Sequence, residues 1–178
     1  ARVKSFFETG LVAHVSMADP VCARLGDHIE AAAAGLDIEI SRGGTYLGME
    51  GPQFSSRAES ELYRSWGCSV IGMTNMPEAK LAREAEICYA TVAMVTDFDC
   101  WHEDHEDVTV DQIIEVLMSN ADNGRSLVRA LAPRLASRNE VCGQGCHTAL
   151  DNALITAPDA RDPAMIDRLA TVAGRVLG

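Results

Sequence analysis

A strand, helix and strand pattern in the middle of the chain constrains its fold more than any other feature. Residues 69–73 form a short apolar run with β-branched members, and Pro77 suits the first turn of a helix that extends to Ile87. Residues 89–95 are nearly all apolar, as in a strand that is buried on both faces. Two strands joined by a helix pair in parallel through a right-handed crossover. We therefore predict an α/β fold with a central mixed, largely parallel sheet flanked by helices, whose ligands bind beyond the carboxyl ends of its strands.

The rest of the chain contains further helix and strand patterns, without an internal repeat or an evident linker. Because Gly and Pro residues are dispersed, we expect one continuous domain over residues 1–178. Ser56 and Glu59 match a capping box, which predicts a helix from there to about Trp66. The other predicted elements are a strand at 11–18, a helix at 20–34, a strand pair or bulged strand at 38–49, a long helix that starts at Thr109–Gln112 with a kink near Asn123 and an end or bend near Pro133, and helices at 146–156 and 162–177.

Charge and hydropathy exclude two classes of partner. The 178-residue chain has 15 Lys and Arg against 26 Asp and Glu, and its formal net charge of −11 repels phosphate backbones and anionic lipids. Its longest apolar runs are far shorter than the roughly 20 residues that a membrane-spanning helix needs. The first residues contain no continuous apolar segment of the kind found in secretory signals. We therefore expect no nucleic-acid partner, no membrane partner and a cytoplasmic location.

The six cysteines are scattered along a chain that is long enough to need no disulfides, so we expect most of them to be reduced core residues. Cys142 and Cys146, followed by His147, have some likeness to a metal site. A zinc site needs four ligands, however, and this spacing is not the usual Cys-x2-Cys. Near His102, histidines alternate with acidic residues as on a solvated loop. The sequence therefore predicts no metal site.

Two of the predicted strand ends are unusually polar. Residues 73–75 close one strand, and Asp97 and Asp99 close the next, so these side chains should lie close together at one edge of the sheet. On an extended segment Asp97 and Asp99 point to the same side, whereas Phe98 points away. A carboxylic acid beside a second carboxylate can keep its proton near neutral pH and donate it to a leaving group. A solvated turn or a helix cap is the alternative interpretation of these aspartates.

Three other polar side chains admit two interpretations. Thr74 precedes a predicted helix, where its hydroxyl and amide can bind an anion or simply cap the helix. Ser56 fits the capping box, which leaves Ser55 for a ligand. His14 lies in an apolar segment and, from the residues alone, is more typical of a satisfied core histidine than of a functional one.

Four segments together resemble a known enzyme family. Residues 49–60 read Met-Glu-Gly-Pro-Gln-Phe-Ser-Ser-Arg-Ala-Glu-Ser, and residues 70–79, 88–101 and 14–20 continue the likeness, which weakens after about Pro133. The chain resembles the purine nucleoside phosphorylase family that includes methylthioadenosine phosphorylase. The resemblance implies the C-terminal part of the nucleoside phosphorylase fold and a homotrimer.

The resemblance also implies the roles of individual residues. Enzymes of this family that act on 6-oxopurines have a neutral residue in the base pocket where adenosine-type enzymes have Asp, and this chain has Asp97 and Asp99. The exocyclic amine of adenine needs an acceptor, and its N7 needs a proton as the glycosidic bond breaks. Asp97 is thus assigned as the acid at N7 and Asp99 as the partner of the amine, with an exchange of roles left open. The other implied contacts are Phe54 and Phe98 with the substrate, Met73 with the ribose, Thr74 with phosphate, Ser55 with phosphate and ribose, and Val110 and His14 with the 5′-methylthio group, His14 from a neighbouring subunit of the trimer.

The implied reaction is the phosphate-dependent cleavage of 5′-methylthioadenosine to adenine and 5-methylthioribose 1-phosphate. Inorganic phosphate is the co-substrate, and no cofactor is expected. Two alternatives stay open at this point. The first is a broader purine nucleoside phosphorylase that acts on adenosine or inosine, and the second is a catalytically silent nucleoside-binding fragment.

One departure from the family pattern concerns the phosphate ligands. The Gly-rich loop, the Arg-His pair and the Thr-containing loop that precede these segments in the family have no counterpart in residues 1–178. We therefore expect the chain to be the C-terminal portion of a single phosphorylase domain. A separate polypeptide is expected to supply the N-terminal portion.

Overall fold

Helices predominate over strands in the computed structural model, which describes residues 2–102, 110–136 and 141–178. The described residues divide into two units. The first unit comprises those within 1–26, 75–91 and 139–178, and the second comprises those within 27–74 and 92–138. Helix α1, Ala23–Ala33, includes residues of both units and begins three residues later than predicted. None of the helices that the structure describes is both long and apolar enough to cross a membrane.

The sheet of the second unit is parallel, as predicted, but small. Strands β1, Tyr46–Gly48, and β2, Val70–Gly72, pair in parallel with Tyr46 opposite Val70. Helix α2, Arg57–Ser65, lies between the two strands in the chain. The parallel connection is therefore β1, α2, β2, one element earlier than the predicted one. The α/β class is confirmed, in the form of a short parallel pair.

The strand predicted over residues 89–95 does not form, and the reason is where its polar groups bind. In the first unit the carbonyl of Tyr89 accepts a hydrogen bond from the amide of Cys22 at 2.7 Å. In the second unit the side-chain amide of Asn120 donates to the carbonyl of Val95 at 2.9 Å. A strand needs these groups for a neighbouring strand. Here the two carbonyls accept hydrogen bonds from the amide of Cys22 and from the side chain of Asn120 instead.

One helix of the second unit has its predicted cap, and another is less interrupted than predicted. In α2 the hydroxyl of Ser56 accepts from the amide of Glu59 at 3.4 Å, and the carboxylate of Glu59 accepts from the amide of Ser56 at 2.8 Å, so the capping box is confirmed. Helix α4, Val110–Ala136, continues past the predicted kink and past Pro133. Pro133 lies in the last turn, where it removes only one hydrogen bond. The predicted start at Thr109 lies outside the described residues.

The first unit is built around helix α5, Pro163–Leu177, which is capped by Asp162 through a 2.9 Å hydrogen bond from the amide of Ala164. Its apolar positions recur every four residues and so face one side. Met165, Leu169 and Ala173 of the helix form a buried core with residues from elsewhere in the unit: Phe7, Leu11, Leu150 and Ala153. The predicted helix at 162–177 is thereby confirmed.

Two predicted elements of the first unit are replaced by cross-connections. The strand at 11–18 is reduced to isolated bridges, and the helix at 146–156 to a 3-10 turn, Cys146–Thr148. The amide of Ile155 donates to the carbonyl of Val12 at 2.9 Å, and the amide of Leu150 donates to Glu86 at 2.9 Å. These amides are thus unavailable to a helix. Helix α3, Met76–Glu84, has Pro77 in its first turn as predicted.

Candidate active site

The carboxyl ends of β1 and β2 bring two predicted site segments together in the second unit. The amide of Met49 donates to the carbonyl of Gly72 at 2.9 Å, which carries the pairing one residue past the strands. Gly51 has a φ of +69°, and a Cβ there would lie 2.5 Å from Sδ of Met73. Only glycine accepts both the conformation and the approach. Gly51 therefore allows Met73, the predicted ribose contact, to lie against the loop after β1.

Thr74 lies at the end of β2 with an exposed side chain. Its hydroxyl is 3.4 Å from the phenol oxygen of Tyr46 in β1. The two hydroxyls therefore mark the polar edge of the parallel pair. This is the edge at which an open parallel sheet binds its ligand.

Asp99 is held on both carboxylate oxygens. The hydroxyl of Ser60 donates to Oδ2 at 2.6 Å, and the amide of Cys100 donates to Oδ1 at 2.8 Å. Ser60 is 1% exposed and belongs to α2. The carboxylate is therefore fixed in direction and charge-assisted in both hydrogen bonds. Sequence reasoning missed Ser60, although its position one turn after the capping Ser56 was a usable signal.

Asp97 is exposed, and its Oδ1 accepts a hydrogen bond from the hydroxyl of Thr96 at 2.6 Å. Phe98, between the two aspartates, is 57% exposed. Its ring stacks on that of His102 with centroids 4.7 Å apart and meets that of Trp101 edge to face at 6.0 Å. These ring contacts give the exposed segment a defined conformation.

Ser55 lies beside the aspartate segment. Its carbonyl accepts a weak hydrogen bond from the thiol of Cys100 at 3.6 Å, and its hydroxyl faces Sδ of Met49 at 3.8 Å. Phe54 precedes it and is 87% exposed. The loop after β1 and residues 97–100 are therefore neighbours. The proximity of residues 73–75 to Asp97 and Asp99 stays a prediction.

Two predicted site residues are not brought to this edge by any described contact. His14 belongs to the first unit, where its exposed side chain lines a cleft of about 450 Å³ together with Arg83, Thr148 and Asn152. Val110 is the first residue of α4, and its side chain lies outside the described residues. Most of the acidic run after His102 also lies outside them.

Comparison with known sequences gives a family and close relatives. The Phosphorylase superfamily matches residues 1–133. The chain is 65% identical over 178 residues to an S-methyl-5′-thioadenosine phosphorylase of Rhodospirillum rubrum, which covers 100% of this chain and 60% of that protein. It is 64% identical over 176 residues to the protein of the same name from Bradyrhizobium diazoefficiens, covering 99% of this chain and 60% of that protein.

Comparison with solved structures also finds methylthioadenosine phosphorylases. A methylthioadenosine phosphorylase from an antarctic soil metagenomic library matches with a TM-score of 0.87 and 48% identity, over 96% of this chain and 60% of that chain. A methylthioadenosine phosphorylase from Schistosoma mansoni in complex with adenine matches with a TM-score of 0.72 and 27% identity, over 82% of this chain and 57% of that chain. The chain thus spans about three fifths of the length of the relatives it matches.

Proposed function

The chain belongs to the phosphorylase superfamily, and from this premise we propose that the protein cleaves 5′-methylthioadenosine with phosphate, giving adenine and 5-methylthioribose 1-phosphate. The observation that carries the proposal is the carboxylate of Asp99, held by Ser60 and by the amide of Cys100, whose thiol in turn contacts Ser55 of the loop after β1. Relatives with 65% and 64% identity have the corresponding name. Because the chain spans about three fifths of those relatives, the activity is assigned to the complete protein.

The hydrogen bonds of the two aspartates support different roles. Both oxygens of Asp99 accept hydrogen bonds, from Ser60 and Cys100, which orients the carboxylate as an acceptor for the exocyclic amine of adenine. Asp97 is exposed and accepts from the neighbouring Thr96. By the family resemblance, Asp97 is assigned as the acid that delivers a proton to N7.

The proposed reaction breaks the bond between C1′ of the ribose and N9 of adenine. The electron pair of that bond moves into the purine, and the proton from Asp97 at N7 makes adenine a neutral leaving group. The ribosyl centre becomes oxocarbenium-like, and an oxygen of phosphate forms the new bond to C1′. The phosphate dianion stabilises the developing positive charge, as the second carboxylate does in glycosidases. Asp97 then regains its proton from solvent.

The remaining contacts are proposed from the family resemblance and from position at the same edge. Thr74 and Ser55 bind phosphate, and Met73 lies against the ribose. The exposed rings of Phe54 and Phe98 offer surfaces on which the purine and sugar can pack. Val110 lies near the 5′-methylthio group. Phosphate is the co-substrate, and the proposed reaction itself uses no other cofactor.

Assembly and location complete the proposal. We assign a homotrimer in which the exposed His14 reaches the 5′-methylthio group of a neighbouring subunit. We assign a cytoplasmic location because six cysteines scattered along a chain of this length fit a reducing compartment. Size-exclusion chromatography with light scattering tests the trimer. Intact-mass measurement of the native protein under denaturing conditions tests the expected second polypeptide, and a single species of 19.1 kDa contradicts it.

The deciding experiment measures release of free base by the purified native protein from methylthioadenosine, adenosine and inosine, each with and without phosphate. We expect release that depends on phosphate and is fastest with methylthioadenosine. Comparable rates with adenosine indicate the broader nucleoside phosphorylase. A preference for inosine contradicts the role of Asp99, and no release from any of the three indicates the silent nucleoside-binding alternative.

A further inference from the structure

We propose that the first unit binds one Zn²⁺ ion through the thiolates of Cys22, Cys88, Cys142 and Cys146. The four Sγ atoms all lie within 4.8 Å of one another. They come from three separate parts of the chain, and all of them belong to the first unit. The cluster is distinct from the aspartate edge of the second unit, and nothing in the proposed phosphorolysis uses it.

The spacing of the sulfurs fits a single tetrahedral ion. Sγ of Cys142 is 3.7 Å from Sγ of Cys22 and 3.6 Å from Sγ of Cys146. A tetrahedral ion with zinc–sulfur bonds of about 2.3 Å separates its sulfur ligands by roughly 3.8 Å. A cluster of several irons places its cysteine ligands on different metal atoms and therefore farther apart. The distances thus favour one ion over an iron–sulfur cluster.

Four cysteine ligands with no open position are typical of structural zinc sites. Cys22, Cys142 and Cys146 are 1%, 4% and 2% exposed, and Cys88 is half-buried. Leu25 packs against the cluster and adds an apolar shell. Catalytic zinc, in contrast, needs a position for water or substrate. We therefore assign the ion a structural role.

Two arginines supply the charge that such a site needs. A divalent ion with four thiolates has a net charge of about −2, which is costly to bury unless it is balanced. The guanidinium of Arg24 donates to Sγ of Cys88 at 3.8 Å, and that of Arg83 donates to Sγ of Cys146 at 3.9 Å. Two positive charges therefore contact two of the four sulfurs. Hydrogen bonds to the ligands from outside the coordination sphere are a regular feature of metal sites.

Backbone groups also favour a thiolate at one ligand. The backbone amides of Gln144 and Cys146 both hydrogen-bond the sulfur of Cys142. Amides that point at a sulfur stabilise its negative charge. The loop between Cys142 and Cys146 therefore presents one sulfur ready for a metal. Gly145, with a φ of +67°, allows this tight turn.

The site fastens together segments that are far apart in the chain. Cys22 and Cys142 are 120 residues apart, Cys88 follows α3, and Cys146 begins the 3-10 turn. A metal that bridges such segments contributes its binding free energy to folding. A bound ion would also hold the short loop at 142–146 in one conformation, although the loop itself is neither helix nor strand.

The test measures zinc in the native protein, purified with reductant and without chelators from cells grown with added zinc. Inductively coupled plasma mass spectrometry should find about one zinc per chain. A mercurial reagent that blocks thiols should release it, as detected by a chromogenic zinc indicator. Replacement by Co²⁺ should give the intense absorption bands of tetrahedral thiolate coordination. The last two readouts need no variant and do not depend on catalytic activity.

Two variants and a control separate metal loss from misfolding. Cys146→Ser should lower the zinc content from about one to less than about one tenth per chain. Arg83→Gln keeps all four sulfurs and should weaken zinc binding by about 10–100-fold. Cys68→Ser removes a cysteine of the second unit and should leave the zinc content unchanged. Less than one tenth of a zinc per chain in the parent protein, or iron in its place, overturns the proposal, as does a disulfide among these cysteines.

Discussion

The two units hold their functional side chains in opposite ways. In the second unit the predicted substrate residues lie at the surface, with Phe54 87% and Phe98 57% exposed. In the first unit the sulfur cluster is closed, and Cys22 is only 1% exposed. A substrate must enter and leave, whereas a structural ion must not. The difference is consistent with the proposal that the second unit carries the chemistry and that the first unit is held by its own internal bonds.

The largest expected effect breaks the chemistry of the second unit alone. Asp97→Asn removes the proposed acid, so the rate of phosphorolysis should fall by about 10²–10⁴-fold. The melting temperature and zinc content should not change, because Asp97 is exposed and bonds only its neighbour Thr96 among the described contacts. Steady-state kinetics with methylthioadenosine measure the loss. Asp122→Asn, in an exposed ion pair on α4, is the matched control. An unchanged rate in Asp97→Asn moves the acid to Asp99.

A smaller effect tests whether the buried hydroxyl of the second unit positions Asp99. Ser60→Ala removes the 2.6 Å hydrogen bond to Oδ2 of Asp99, and hydrogen bonds to charged groups contribute about 1.5–3 kcal/mol. The preference for methylthioadenosine over its 6-oxo analogue should fall by roughly 10–100-fold, mainly through KM.

The control for this prediction lies on the same helix. Ser65→Ala removes a hydroxyl that donates to the carbonyl of Leu62 at 2.7 Å and makes no described contact with Asp99. Its substrate preference should equal that of the parent protein. If Ser60→Ala and Ser65→Ala behave alike, Asp99 is oriented by other groups.

An ion pair of the first unit predicts how that unit responds to pH. The hydrogen bond from Arg175 is the main cause that lowers the pKa of Glu86, the amide of Leu150 adds to it, and burial opposes both. Because the folded pKa lies below the unfolded value of about 4.3, the stabilisation is fully present above that value and is lost as pH falls through the folded pKa.

Glu86→Gln should therefore destabilise the protein at pH 7. The free energy of unfolding of the variant should also change less with pH in the acid range than that of the parent. We expect a loss of about 1.5–3 kcal/mol in the free energy of unfolding at neutral pH, measured by denaturant titration. Below about pH 4 the difference from the parent should shrink. Glu78→Gln, at an exposed position of α3, is the control. Since no part of the second unit is altered, kcat should not change, and a large loss of kcat contradicts the division of roles.

Local patterns explain which parts of the fold the sequence predicted. The capping box of α2 depends on residues three positions apart, and both it and the helix predicted at 162–177 were correct. The strand predicted at 89–95 was wrong, and the carbonyl of Val95 accepts instead from Asn120, 25 residues away in the chain. Nothing in the apolar pattern of that segment indicates such a partner.

The two candidate sites divide in the same way. The aspartates could be proposed from the sequence because they lie two residues apart and belong to a recognisable family segment. The sulfur cluster was missed because Cys142 and Cys146 supply only two ligands locally, and the other two are brought to them by the fold. Spacing along the chain detects a site only when most of its ligands are neighbours in sequence.

The smallest expected effect loosens the second unit without removing any site residue. Ser56→Ala removes the cap of α2 and should cost about 1 kcal/mol, which lowers the melting temperature by roughly 2–4 °C. The pKa of Glu59 is lowered mainly by the hydrogen bond with the Ser56 hydroxyl and to a smaller extent by that from the Ser56 amide. Without the hydroxyl, this pKa should rise towards its ordinary value. Hydrogen exchange should quicken in α2 and at Cys100, whose amide bonds Asp99, but not in α5. Glu61→Gln, exposed on the same helix outside the cap, should change none of these. If hydrogen exchange quickens equally in α5, the two units unfold as one cooperative structure. The comparison between the exposed site of the second unit and the closed sulfur cluster of the first then says nothing about separate stability.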